Sequence, residues 1–356
     1  MTWAGAEPEN FKWLAQDHSA KVIALTTNFR SNLRIVEIVN RLAQVLEPEA
    51  AQVRSAHLED DLPELTDGII HFSSTEEEAE GIASFIKRAV DAGESQPSDF
   101  LLLLRQLANA AEDTLRGRFE ANGLALRNEA RLIGALAIQD IVTEPFSDLI
   151  ISLLQMAVED RENAPFERAR NSIAYMHGLD DDRDDSQLRL DTMIRKLVTD
   201  AQSLTREQEV DQDRIVDFVS SVIRNLGKEA AQRLSPEYEQ EERFEEIVHS
   251  LALYLSELHT AETGWLNTIR KFIGIDQVRL MTIHKSKGLE AKSVFFLHLQ
   301  NDGFYKNADM EDEKFALFVA ASRARDQFFV TTTSQARNRV QPLWNFLAAA
   351  EMPTLS

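Results

Sequence analysis

The residues best suited to chemistry lie in one short segment, Val278-Arg-Leu-Met-Thr-Ile-His-Lys-Ser-Lys-Gly-Leu-Glu290. Thr282, His284, Lys285, Ser286 and Lys287 are donors or cations set close together, and Gly288 follows them. The alternation before Thr282 predicts a strand, so the donors fall at a strand's C-terminal end, where α/β sheets bind ligands. A glycine there lets a phosphate approach the backbone, and lysines supply charge to meet it. By itself, a Lys-Ser-Lys loop is more commonly a plain basic surface loop. Two other segments carry arginines of interest. Leu25-Thr-Thr-Asn-Phe-Arg-Ser31 holds Arg30, and Glu311-Asp-Glu-Lys-Phe-Ala-Leu-Phe-Val-Ala-Ala-Ser-Arg-Ala324 holds Arg323. A guanidinium is planar and permanently charged, and its forked donors match phosphate oxygens.

Other chemistries are excluded by what the chain lacks. It has no cysteine, so a disulfide framework, a thiolate zinc site and a cysteine nucleophile are out. No metal-ligating set is assigned. The phosphate-loop pattern G-x-x-x-x-G-K-S/T fails at Gly227-Lys228, because Glu229 follows and Val222 stands where the first glycine is required. No apolar run ends in a convincing Asp-Glu pair for magnesium. Apolar runs such as Leu101 to Leu104 are too short to span a membrane. The polar, acidic residues after Met1 do not make a secretory signal.

The elements that must position these residues are legible in outline. Short apolar runs at Val22 to Leu25, Ile69 to Phe72, Phe100 to Leu104, Val278 to Ile283, Ser293 to Leu299 and Phe328 to Thr332 predict strands. Between them, helical spacing follows Ser31, read as an N-cap, and runs over Glu76 to Val90, Asn109 to Glu120 and Phe315 to Ala324. Strands alternating with helices predict a parallel sheet covered on both faces. From Met156 to Lys271 no strand is evident, and helical patterns run over Ile215 to Leu226 and Pro236 to Thr260. The expected organisation is one α/β domain over 1–155 and 272–356, split by an all-helical insertion at 156–271.

The three segments, in this order, resemble motifs IV, V and VI of the UvrD/Rep-like superfamily-one DNA helicases. The family patterns are Asn-Tyr/Phe-Arg-Ser, Thr-x-His-x-x-Lys-Gly-Leu-Glu and Tyr/Phe-Val-Ala-x-Thr/Ser-Arg-Ala. Phe100 to Arg105, with Asn122-Gly123-Leu124, is similar to motif IVa, and Thr2-Trp-Ala-Gly-Ala6 to the tail of motif III. The resemblance implies a RecA-like (P-loop NTPase-like) domain, 2A, with a helical insertion, 2B. It implies that Arg30 and Arg323 reach the γ-phosphate of ATP as catalytic arginine fingers. Glu290, Gly288 and Lys287 match nucleotide-binding positions, with Glu290 on the ribose. Thr282, His284, Arg105 and Trp3 match contacts to single-stranded DNA. An arginine pairing with a neighbouring acid is the competing reading of Arg105. Leu107 stands where the family has asparagine, and Gly303-Phe304-Tyr305 lacks the family's proline.

The family's activity is ATP-dependent DNA translocation and unwinding. Without Walker A and B, this chain alone is expected to be inactive. The resemblance makes it the C-terminal part of such an enzyme, in which a missing N-terminal RecA-like domain binds most of the ATP and Mg2+. Expected partners are that domain, single-stranded DNA or a single/double-strand junction, and a protein held by the acidic 2B, with no membrane. A cytoplasmic, nucleoid-associated place in DNA repair goes with this. The alternative is a degenerate, non-catalytic interaction module.

The charge bears on that choice. The 356 residues carry a net −21, which argues against a general nucleic-acid binder. Yet the acid is uneven. Residues 156–271 hold 25 acidic and 15 basic side chains, whereas residues 21–41 and 279–292 each carry a local net +3. Phosphate is expected at those two basic islands.

Overall fold

Phe100–Leu104 is apolar throughout because it is the middle of a sheet. In a computed structural model of the protein, all five of its residues are at most 1% exposed. The structure describes residues 10–21, 23–57, 63–158, 163–179, 183–207, 209–260, 262–334 and 337–355. The chain divides into two compact units, residues 1–126 with 278–356, and residues 127–277.

The first unit is built on a seven-stranded sheet. Its strands are β1 (Asp67–His71), β2 (Phe100–Leu104), β3 (Ala125–Asn128), β4 (Gln277–Thr282), β5 (Ala291–Phe296), β6 (Ala324–Thr332) and β7 (Thr354–Leu355), in the order β7-β1-β6-β5-β2-β4-β3. The pairings from β7 through to β4 are all parallel. Its helices are α1 (Leu33–Leu46), α2 (Thr75–Asp91), α3 (Ala108–Ala121), α4 (Met310–Ala321) and α5 (Gln341–Ala349). Alternate strand residues Leu101, Leu103, Val294, Phe296, Phe328 and Val330 pack with Ile35, Ile38, Leu317, Ala320, Leu343 and Leu347 of α1, α4 and α5. On the opposite face Phe85 of α2 meets Phe100, Phe295 and Phe329 edge-on at 5.5–6.4 Å. Period-2 alternation in a two-faced sheet produces this three-layer arrangement. It is a RecA-like α/β domain with a helical insertion, the expected fold class.

The second unit is helical. Helices Pro145–Val158, Asn163–His177, Asp184–Thr205, Gln212–Leu226, Glu241–Leu258 and Gly264–Ile273 bury one shared apolar core. Among the described residues, no helix is long and apolar enough to cross a membrane.

The structure departs from the sequence reading in three places. The boundaries fall at 126/127 and 277/278 instead of 155/156 and 271/272, because Ile138, Phe146, Leu149 and Leu153 bury their faces in the helical core. Helical spacing reveals that a face is buried but not what it is buried against. The Val22 to Leu25 run is no strand over its described part; Leu25 is 89% exposed, and the pairing passes to Thr27–Asn28 against Arg54–Ser55. Finally, Asn32 caps α1, its side chain accepting from the Ile35 amide at 2.9 Å, while Ser31 serves another contact.

Candidate functional site

The Asn-Phe-Arg-Ser segment is a clamp. The Asn28 side-chain oxygen accepts from the amides of Arg30 and Ser31 at 2.8 and 2.9 Å, which folds a tight turn. Ser31 Oγ donates to the Ala324 carbonyl at 2.7 Å, and Asn32 reaches the Asp326 carbonyl at 2.9 Å. The turn is thereby fixed to the start of β6, and Arg30 projects from it. Ala324 pairs with Ala291, so Arg323 and Glu290 stand one residue before the N-terminal ends of neighbouring strands.

Three charged side chains meet there. Arg30 Nε donates to Glu290 at 2.6 Å, and its Nη1 to the Ser322 carbonyl at 3.1 Å. Arg323 donates to the Leu289 carbonyl at 3.4 Å, while its Nε is buried without a hydrogen-bond partner among the described residues. Burial first, and the nearby Arg30 charge second, lower the Arg323 pKa from its usual range. Arg30 is thus paired with the carboxylate, while the Arg323 guanidinium near it keeps an orphaned donor among the described residues. Orphaned buried donors are rare in folded proteins, and an incoming anion would relieve both the repulsion and the missing bond.

Gly288 lies on the approach to this edge with φ +83°. No atom lies within 4 Å of where its Cβ would be, so the left-handed backbone, not crowding, calls for glycine. Lys287 beside it is exposed. Ser286 is fully buried and donates to the Ile283 carbonyl at 2.7 Å, so it shapes the turn and presents nothing to a ligand.

Thr282, His284 and Arg105 gather at the opposite edge. Leu104 pairs with Thr282, which places Arg105 and His284 just past the C-terminal ends of β2 and β4. Partial burial, then the Arg105 charge, hold the His284 imidazole below its ordinary pKa. Arg105 is largely committed. Its Nε donates at 2.5 Å to Glu313, which is 2% exposed, and its guanidinium lies 5.0 Å from the Tyr305 ring centroid. The competing reading of Arg105, pairing with an acid, is therefore realised, across 208 positions of sequence. Trp3 lies outside the described residues.

The predicted residues form two groups, one at each end of the sheet. α4 spans the distance between them: Glu313 near its start holds Arg105, and Ser322 just past its end accepts from Arg30. The connection from β4 to β5, residues 283–290, makes the same crossing in the same direction. Sequence reasoning passed over Phe29, Glu313 and Tyr305. Phe29, next to Arg30, is 77% exposed, an open aromatic on which a base can stack. Its exposure beside a clamped arginine was the signal. Glu313 gave none, since a buried acid in an acidic helical turn looks like any other. Leu107 takes φ +60°, a left-handed conformation that asparagine tolerates far better than leucine.

A family model described as the UvrD-like helicase C-terminal domain matches residues 133–335. That range includes Thr282 to Glu290 and Arg323 but not Arg30 or Arg105. The chain is also similar to a "Probable DNA helicase II homolog" of Mycoplasma capricolum subsp. capricolum, 42% identical over 64 residues. That alignment covers 16% of this chain and 9% of the relative's length.

Proposed function

Because the chain belongs to the UvrD-like helicase C-terminal domain family, whose model covers more than half of it, we propose that it is the second RecA-like domain, with its 2B insertion, of an ATP-dependent DNA helicase. The observation that carries this is the convergence of Arg30, Glu290 and Arg323 on one sheet edge with a buried, unpaired guanidinium nitrogen. The γ-phosphate of ATP is the anion that completes it. In phosphoryl transfer, charge spreads over the equatorial oxygens, and two guanidiniums stabilise it there. Glu290 holds Arg30 in place and presents its other oxygen to the ribose. Phe29 offers its ring to the base. Thr282 and His284 take the backbone of single-stranded DNA at the other edge, with Arg105 behind them.

Mg2+ accompanies such phosphates, and among the described residues there is no group of three or more acids or histidines placed around a metal position. No step is therefore assigned to it in this chain. Phosphate cradling belongs to a partner RecA-like domain, because these 356 residues hold no phosphate loop.

The test is ATP turnover with single-stranded DNA present. The chain alone is expected to give none. Fused to a domain bearing a phosphate loop, it should give DNA-stimulated turnover that Arg323→Ala or Arg30→Ala lowers by roughly 10³-fold or more. Robust turnover by the chain alone, abolished by Arg323→Ala, would overturn the division of labour.

A further inference from the structure

Tyr305 is left over by the reading above. It is 52% exposed, a large ring at the C-terminal edge of the sheet, where the family pattern would put a proline. Its backbone is firmly held. The preceding Phe304 is 2% exposed and packs 6.2 Å from Phe296. Arg339 donates to the carbonyls of both Phe304 and Tyr305 at 2.9 Å, and the Ala308 amide closes a turn onto Tyr305 at 3.1 Å.

The ring is held as well. The Arg105 guanidinium lies against it, and Arg105 is itself fixed by the buried Glu313. Gln106 donates to the Asp302 carbonyl at 3.0 Å, which ties the loop bearing Arg105 to the loop bearing Tyr305. Lys306, the next residue, is exposed.

We propose that Tyr305 is a stacking platform for one nucleobase of single-stranded DNA, backed by Arg105 and flanked by the phosphate-attracting Lys306. The chemistry follows from three properties. A base has a π face whatever its identity, so stacking on an aromatic ring binds without reading sequence. A ring already immobilised by a guanidinium loses little freedom when a base arrives, so more of the stacking energy appears as affinity. A cation one residue away meets the phosphate that every base carries with it. Arg105 then acts as a positioning residue, and its commitment to Glu313 and Tyr305 explains why it is so little exposed. The inference rests on the DNA path proposed above, since His284 and Thr282 lie on the same edge.

The experiment is anisotropy of a labelled oligothymidylate at low salt, set beside an abasic oligonucleotide of equal length. The two probes carry the same phosphates, and only the first carries bases. Tyr305→Ala is expected to weaken binding to the thymidylate about 10-fold and leave the abasic probe unaffected. Tyr305→Phe and Tyr305→Trp should retain the wild-type affinity, and the salt slope should not change, because no phosphate contact is removed. Equal losses on the two probes, or no loss on either, overturn the stacking assignment alone. A wild-type chain that binds neither probe at low salt overturns the DNA path and this inference with it.

Discussion

His298 carries a conspicuous internal charge interaction. It sits at φ +60°, and its Nε2 lies 2.8 Å from Glu78, which is 2% exposed. Glu78 also accepts from Thr331. Burial pulls the imidazole pKa down, but the hydrogen bond and charge of Glu78, with a smaller contribution from Asp302, raise it above 6.5 overall. A raised folded-state value means that the charged form is the one the fold favours. Its contribution is full below 6.5 and is lost as pH rises through the folded value. Urea unfolding at pH 6 and pH 8.5 should therefore show the wild type losing stability at the higher pH beyond any change in a His298→Asn variant. Asparagine accepts the left-handed backbone, so the substitution removes the charge without adding strain. Identical pH dependence in both proteins would refute the assignment.

At the scale of elements, the sequence was informative where chemistry repeats locally and silent where it depends on distant partners. The five apolar residues of β2 announced a buried strand, and Arg30 stood out by its type in the Asn-Phe-Arg-Ser segment, but the N-cap fell to Asn32 instead of Ser31. Nothing in the sequence linked Glu313 to Arg105, or showed that Ile23 to Leu25 would lie open. Those outcomes depend on which surfaces meet, and periodicity carries no such information. The insertion offers a test at this scale. The helix Gly264–Ile273 ends at Gly274, with φ +84°. A Cβ there would lie 2.5 Å from Arg127 Nη1. Arg127 is 6% exposed, pairs with the buried Glu129 and donates to the Phe272 carbonyl at 2.8 Å. Gly274→Ala thus adds backbone strain to a crowded buried ion pair, and should cost about 2–3 kcal/mol in urea unfolding. A loss below about 0.5 kcal/mol would mean that the helix end relaxes freely.

For the whole molecule, the net −21 would set the conditions for the DNA binding proposed above. Attraction would come from the 279–292 island, since Arg30 of the other island lies at the nucleotide end, and it acts against the net negative charge of the chain. If about three phosphates are neutralised, log affinity for single strands should fall with log salt at a slope of about −2. That is about a 15-fold loss between 50 and 200 mM salt. A titration with a slope near zero would mean that the 279–292 island does not meet phosphate. The charge distribution was readable from the sequence. Its division between opposite ends of one sheet was not, because a β4 that ends beside His284 and a β5 that begins after Glu290 are consecutive in the chain.

That last connection has a mechanical meaning. Eight residues, 283–290, carry the chain from the end of β4 to the start of β5, with β2 lying between the two strands. Parallel crossovers ordinarily take a dozen or more residues. Its first half, Ile283–Ser286, is a turn of 3-10 helix pinned by buried Ile283 and Ser286, and only residues 287–290 run on from it to β5. If a nucleotide and a DNA strand bind as proposed, Glu290 and His284 are the two ends of this one short, pinned connection. Reciprocity then requires each ligand to change the other's affinity by the same factor. On the proposed function, that connection would be the shortest covalent link between the fuel end of the sheet and the track end.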